Sequence, residues 1–143
     1  MMRTEDRTSK IARRVTINNA IVKKSDAYLS KAEPVAEAMV QAKLNNAQIK
    51  GLQTLAYTTD KVSDVVDWIK IRVGRESKWT IIGPRLLGIL HQELKQDASK
   101  IVSELGEKSD LPDDVRRQIH LNLIREYLTH VSAHFEYMNS LRN

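Results

Sequence analysis

The sequence predicts an all-α protein, a bundle of five or six helices packed as a single domain over residues 1–143. Apolar residues recur at intervals of three and four along most of the chain, which is the spacing of one face of a helix. No segment shows the alternation of apolar and polar residues that marks a strand between turns. The chain has only five glycines and three prolines, and each proline stands where a helix is expected to start.

The first predicted helix is basic and covers about residues 8–30, where most apolar positions have helical spacing. Ser30-Lys-Ala-Glu33 has the spacing of a capping box, and Pro34 suits a first helical turn. We therefore expect the first helix to end near residue 30 and a second to run over about residues 34–43.

Two shorter helices are expected next. Leu44-Asn-Asn46 interrupts the apolar pattern, and asparagine is a good N-cap, so a third helix is predicted over about residues 47–57. Thr58-Thr-Asp60 separates it from a fourth, whose valines and Ile69 follow the i, i+3, i+4, i+7 pattern as far as Gly74, the expected stop.

Residues 75–83 read as a loop before two longer helices. Pro84 is expected to start the fifth helix, whose leucines, alanine and isoleucine recur at steps of three and four up to Leu105, with Gly106 as its stop. Ser109-Asp-Leu-Pro112 is expected to open a last helix of nearly 30 residues. Such a helix is about 45 Å long.

Positive charge is concentrated in two zones. The net charge is +5, and residues 1–31, with eight basic and three acidic side chains, account for all of it. Residues 68–85 hold five basic side chains and one acidic, with both tryptophans in the same stretch. This asymmetry favours a polyanionic partner such as nucleic acid. The residues predicted to bind nucleic acid are Arg13, Arg14, Lys50, Lys70, Arg72, Arg75, Lys78, Trp79 and Arg85.

The two tryptophans have different expected roles. Trp68 precedes Ile69 in an apolar series and is expected to pack in the core. Trp79 stands between Lys78 and Thr80 and is the better candidate for an exposed ring that stacks on bases. Gly83-Pro84 before Arg85 is either a helix start whose backbone amides, together with Arg85, hold a phosphate or simply the turn with which a helix starts.

Nothing in the sequence supports catalysis, so the protein is predicted not to be an enzyme and to need no cofactor or metal. There is no cysteine, no phosphate-binding glycine loop and no nucleophile elbow. Glu126, His130 and His134 recur every four residues, but the histidines flank an apolar stripe and more simply serve as boundary residues. The N-terminus does not resemble a signal peptide and no apolar run could span a membrane, so the cytoplasm is the expected location.

Two motifs resemble a known family. Leu44-Asn-Asn-Ala-Gln48-Ile49-Lys50-Gly-Leu52 is similar to the Leu-Thr-Thr-Ser-Gln-Ile-Arg helix start in the small helical subunit of type III CRISPR–Cas effector complexes. Val66-Asp-Trp-Ile-Lys-Ile-Arg-Val-Gly-Arg-Glu76 resembles the end of a helix in that family, which finishes in Ala-Gly-Arg, with Val73 in place of the alanine. The resemblance covers about residues 33–90.

The resemblance implies a non-catalytic role in antiviral defence. Small subunits of this class stack in several copies along a filament of backbone subunits and crRNA, and contact the target or displaced strand through its phosphates. Lys50 and Arg75 match basic positions of the family's motifs. Two alternatives remain: a helix-turn-helix DNA-binding protein that reads bases from residues 47–57, and a structural helical adaptor whose basic surfaces meet acidic protein.

Overall fold

The computed structural model describes residues 2–105 and 112–142, with side chains from 7 to 105 and from 112 to 141. Within these ranges the protein is all helical, which confirms the predicted fold class. The helices are α1 (Met2–Gln41), α2 (Asn46–Thr58), α3 (Val62–Arg75), α4 (Ile82–Leu87), α5 (Leu94–Glu104) and α6 (Asp113–Arg142). A 3₁₀ turn, Ser77–Trp79, precedes α4, and a π-helical segment, Gly88–Glu93, joins α4 to α5 without a break.

Helix α1 runs straight through the predicted boundary, so the expected helix end near residue 30 and the new start at Pro34 are wrong. The buried positions of α1 continue across Pro34, with Tyr28, Ala32, Val35 and Met39 all in the core. A proline inside a helix costs about 3 kcal/mol because it removes one backbone hydrogen bond. Pro34 lies on the exposed side, and burial of the continuous apolar stripe offsets that cost.

The largest helix–helix interface joins α1 to α6, which run parallel. Ser25 donates a hydrogen bond of 2.7 Å to Glu126, and further along both helices Glu33 lies 3.9 Å from His134. The rings of Tyr28 and Tyr127 meet edge to face, with centroids 5.6 Å apart. The first and last helices thus form the axis on which the others pack.

Helices α2 and α5 both run antiparallel to this pair. Helix α2 is antiparallel to α6, since Lys50 contacts Glu136 near the end of α6 and Arg125 donates to the carbonyl of Ala56. Helix α5 is also antiparallel to α6, because the Leu90 carbonyl before α5 lies against His120 while Val102 lies near Asp113. Consecutive helices therefore meet at the two ends of the bundle, and each end gathers residues that are far apart in sequence.

The other predicted boundaries agree with the structure to within a few residues. Asn45 is the N-cap of α2 and accepts a hydrogen bond of 2.8 Å from the amide of Ala47. Helix α3 passes Gly74 and ends at Arg75, and α4 begins at Ile82 with Pro84 in its first turn. The predicted stop at Gly106 and the predicted start at Ser109 lie outside the described residues. None of the described helices is both long and apolar enough to cross a lipid bilayer.

Candidate nucleic-acid interface

The turn between α1 and α2 holds a lysine in an unusual backbone conformation. Lys43 has a φ of +61°, the left-handed region that glycine normally occupies at this position. The amide of Leu44 donates to the Met39 carbonyl and that of Lys43 to the Val40 carbonyl, which is the hydrogen-bond pattern of a Schellman motif. Leu44 is buried and anchors the turn, so the side chain of Lys43 is held at the exposed end of the bundle.

A second turn, between α3 and α4, lies against the first. The ammonium of Lys78 donates a hydrogen bond of 3.2 Å to the carbonyl of Lys43. This contact brings Lys43 and Lys78 together across 35 residues of sequence, and Arg75 projects into solvent at the end of α3. We call the surface formed by Lys43, Arg75 and Lys78 the turn face.

A shallow cleft of about 340 Å³ lies within the turn face. Its lining is polar and consists of Asn45, Gln48, Arg75, Glu76, Ser77 and Lys78. The amide of Gln48 donates to both carboxylate oxygens of Glu76, at 3.0 and 2.9 Å, and its carbonyl accepts from the indole of Trp79 at 3.1 Å. Gln48 therefore ties α2 to the α3–α4 turn and fixes the floor of the cleft.

Trp79 is not a surface residue, so the prediction of an exposed stacking ring is wrong. Its side chain is 0 % exposed, and its ring meets that of Trp68 edge to face at 5.6 Å. The 3₁₀ turn explains the error, because it points Trp79 inward while its neighbours Lys78 and Thr80 stay exposed. Trp68 packs against the core as expected but remains half-buried.

Arg72 is held by groups of its own helix. Its guanidinium lies over the ring of Trp68, 4.4 Å from the centroid, and its Nε is 3.7 Å from a carboxylate oxygen of Glu76. A cation over an aromatic face is attracted by the ring quadrupole. Arg72 therefore serves to close the α3–α4 turn and neutralise Glu76, whereas Lys70 and Arg75 on the same helix are exposed.

The other predicted residues lie on different surfaces. Lys50 forms an ion pair with Glu136 at 3.4 Å, on the side where α2 meets α6. Arg85 is exposed and lines a cleft between α1 and the α4–α5 run. Arg13 and Arg14 line a separate cleft of about 400 Å³ between α1 and the first turns of α6. The nine residues thus do not form one surface, and among them Arg75 and Lys78 share the turn face.

Gly83 has a packing role. It is buried, and a Cβ added there would collide with the side chain of Val73 on α3. The absence of a side chain lets α4 approach α3 closely, which sets the position of the α3–α4 turn. Gly83-Pro84 thus lies in the first turn of α4, and the close packing against Val73 is sufficient to account for the glycine.

Both glutamines of residues 47–57, the segment that would read bases in a helix-turn-helix protein, are engaged within the protein. Gln48 is committed to Glu76 and Trp79, and Gln53 lies within hydrogen-bonding distance of Thr129, at 3.4 Å. Helix α2 also packs along α6. This arrangement disfavours a helix-turn-helix interaction in which α2 enters the major groove.

Two histidines of α6, His130 and His134, contact side chains of α1. The Nε2 of His130 lies 3.0 Å from the hydroxyl of Ser25, and His134 faces Glu33. In the part of the chain that the structure describes, no group of three histidine or acidic side chains could hold a metal ion.

Comparisons of the chain with models of known protein families, with curated protein sequences and with solved structures gave no match.

Proposed function

We propose that the protein is a non-catalytic nucleic-acid-binding subunit that contacts the phosphates of a single strand. The observation that carries this proposal is the turn face, where Lys43, Arg75 and Lys78 from two distant turns project from one end of the bundle. Glu76, the acidic residue in the cleft, is already paired with Arg72 and Gln48, so it offers little repulsion to an incoming phosphate.

The mode of nucleic-acid binding expected at the turn face follows from the burial of Trp79. Because Trp79 is buried, bases have no tryptophan to stack on there, and affinity must come from charge. Binding through phosphates is independent of sequence and weakens steeply with salt, because each contact releases counterions.

A finer proposal is that the protein is the small subunit of a type III CRISPR–Cas effector complex. In its support, the two motifs that carry the resemblance are adjacent in space, since Gln48 of the first is hydrogen-bonded to Glu76 of the second. The partners would be crRNA with its target strand, the backbone subunits and further copies of the chain. Purification of the chain from its native cell tests this, because a guide RNA and backbone subunits should accompany it.

Direct binding is best measured by fluorescence anisotropy with a single-stranded RNA of about 20 nucleotides at about 50 and about 200 mM salt. The variant with Lys43→Ala and Arg75→Ala, both exposed in the turn face, should bind about tenfold more weakly. The slope of log affinity against log salt concentration should become shallower by about 0.7 for each lost contact. A matched control carries Lys61→Ala and Lys100→Ala, which remove the same charge from exposed positions outside the turn face. Equal affinities for the two variants would reject the turn face as the interface.

A structural adaptor is the second candidate, favoured by an exposed apolar row on α1. Ile11, Val15, Val22 and Leu29 are each more than half exposed and recur at steps of four, seven and seven residues. Such spacing keeps them on one side of the helix. Co-purification of protein partners that survives nuclease treatment, with no bound nucleic acid, would select this alternative.

A further inference from the structure

A cavity at the other end of the bundle has the size and lining of a small-molecule site. It lies between α5 and the first turns of α6, with Val62 at the start of α3 as one wall, and its volume is about 330 Å³. Ligand-binding cavities in proteins begin at roughly 300 Å³. None of its lining residues belongs to the turn face.

Basic side chains dominate the polar part of the lining. Among the described residues, the basic side chains that face the cavity are His91, Lys95, Arg116, Arg117 and His120, and Asp113 is the acidic one. Lys95 and Arg117 are exposed at its mouth, whereas His120 is only 6 % exposed. Asp113 occupies the first turn of α6, where a carboxylate is stabilised by the helix dipole.

The rest of the lining includes apolar side chains. These are Val62, Ala98 and Val102, and Ala98 and Val102 are themselves part of the core. A cavity lined by both cations and aliphatic carbons suits a ligand that joins an anionic group to a flat or apolar one.

The π-helical segment explains how His120 is held in this cavity. The imidazole Nε2 lies 2.8 Å from the carbonyl of Leu90, within the Gly88–Glu93 segment. A carbonyl can only accept, so Nε2 carries the proton and Nδ1 has the free lone pair of the neutral ring. His120 is thus anchored to the π-helical segment, and such segments are frequent at functional sites.

The electrostatics of His120 agree with a cavity of positive potential. Burial lowers the pKa of His120, the hydrogen bond to Leu90 opposes this change, and the nearby charges of His91 and Lys95 lower the pKa further. An anion in the cavity would relieve the repulsion among these groups.

We propose that this cavity binds a mononucleotide, with its phosphate held by Lys95 and Arg117 and its base or sugar against Val62, Ala98 and Val102. The phosphate is the group that the two exposed cations recognise as a charged acceptor. The nucleotide can be free or can be the 5′ end of a strand, because both present the same chemistry. The proposal is independent of the turn face.

Isothermal titration calorimetry of the full chain with adenosine monophosphate tests the proposal, with adenosine and inorganic phosphate as the comparison ligands. Adenosine monophosphate should bind more tightly than either. Lys95→Ala and Arg117→Ala should each weaken its binding about tenfold, as expected for loss of one charged hydrogen bond. Lys100→Ala is the matched control, since Lys100 is exposed on the same helix and outside the cavity lining.

Circular dichroism melting curves check that each variant remains folded. Equal affinity of Lys95→Ala and Lys100→Ala for adenosine monophosphate overturns the proposal. Binding of adenosine as tight as that of adenosine monophosphate excludes the phosphate contact, and binding of inorganic phosphate as tight excludes the nucleotide. A 5′-phosphorylated oligonucleotide that competes better than its 5′-hydroxyl form identifies the strand end as the ligand, and equal competition identifies the free nucleotide.

Discussion

The turn face and the basic cavity lie at opposite ends of α3 and differ in how they present their charge. Arg75 ends α3 at the turn face, and Val62 begins it at the wall of the cavity, roughly 20 Å away. The turn face presents cations on an open surface, where salt screens them. The cavity encloses a histidine and apolar side chains, where screening is weaker. Open charge suits a long polyanion, and enclosed charge suits a small one.

The largest expected effect on stability comes from substitution of Trp79, which packs beneath the turn face. Trp79→Ala should destabilise the protein by about 3–5 kcal/mol, because it removes a fully buried indole and leaves a void beside Trp68. Urea unfolding followed by circular dichroism measures the change. Trp79→Phe, which keeps most of the packing but loses the hydrogen bond to Gln48, should cost less. If Trp79→Ala lowered RNA affinity without lowering stability, Trp79 would instead be a residue that stacks on bases.

The next effect concerns the close approach of α4 to α3. Gly83→Ala should destabilise by about 1–3 kcal/mol, because the new methyl group collides with the stiff side chain of Val73. Gly51→Ala is the control, since Gly51 lies in α2 with open space around its Cα. That substitution should leave stability unchanged or raise it by up to about 1 kcal/mol. Similar midpoints for the two variants in urea would contradict the tight packing of the α3–α4 turn.

The cavity should make stability depend on pH in the range where histidine titrates. His120 has a lowered pKa in the folded protein, so below about pH 6.5 the unfolded state binds more protons and stability falls. His91, Lys95, Arg116 and Arg117 add positive charge around it, and Asp113 adds one negative charge. The loss between about pH 7.5 and 5.5 is at most about 1.4 kcal/mol from this group. Urea unfolding at the two pH values measures it, and His120→Gln should reduce the difference. An unchanged difference would assign the pH dependence to other groups.

The difference between the two ends also shows what the sequence can reveal. The helices could be predicted because apolar spacing is a local property, and the stripe Val65, Val66 and Ile69 is buried as expected. The continuity of α1 through Pro34 could not be predicted from the sequence, because it depends on packing against α6. The burial of Trp79 could not be predicted either, because its neighbours in sequence are exposed. Its hydrogen-bond partner Gln48 is 31 residues away in the chain.

The candidate sites were predictable only in part. Arg75 and Lys78 carry a visible signal, since they belong to a local run of positive charge. Lys43 carries none, because its place in the turn face depends on a left-handed backbone and on a contact with Lys78. The cavity is built from residues of the π-helical segment, α5 and α6, and the π turn disrupts the helical periodicity just before α5. Spacing arguments therefore miss it.

The smallest effect tests whether the strain at Lys43 serves the turn face. A left-handed conformation costs a non-glycine residue about 1–2 kcal/mol. Replacing Lys43 by glycine removes this cost, but glycine also increases the conformational freedom of the unfolded chain, which offsets part of the gain in stability. Lys43→Gly should therefore stabilise the protein by about 0.5–1 kcal/mol, measured by urea unfolding. It should also weaken RNA binding, since it removes an exposed cation beside Lys78. Lys43→Ala separates the two effects, because it removes the same charge but keeps the strain. If both variants bind RNA as tightly as the original chain, Lys43 does not contribute to RNA binding, and the interface consists of Arg75 and Lys78.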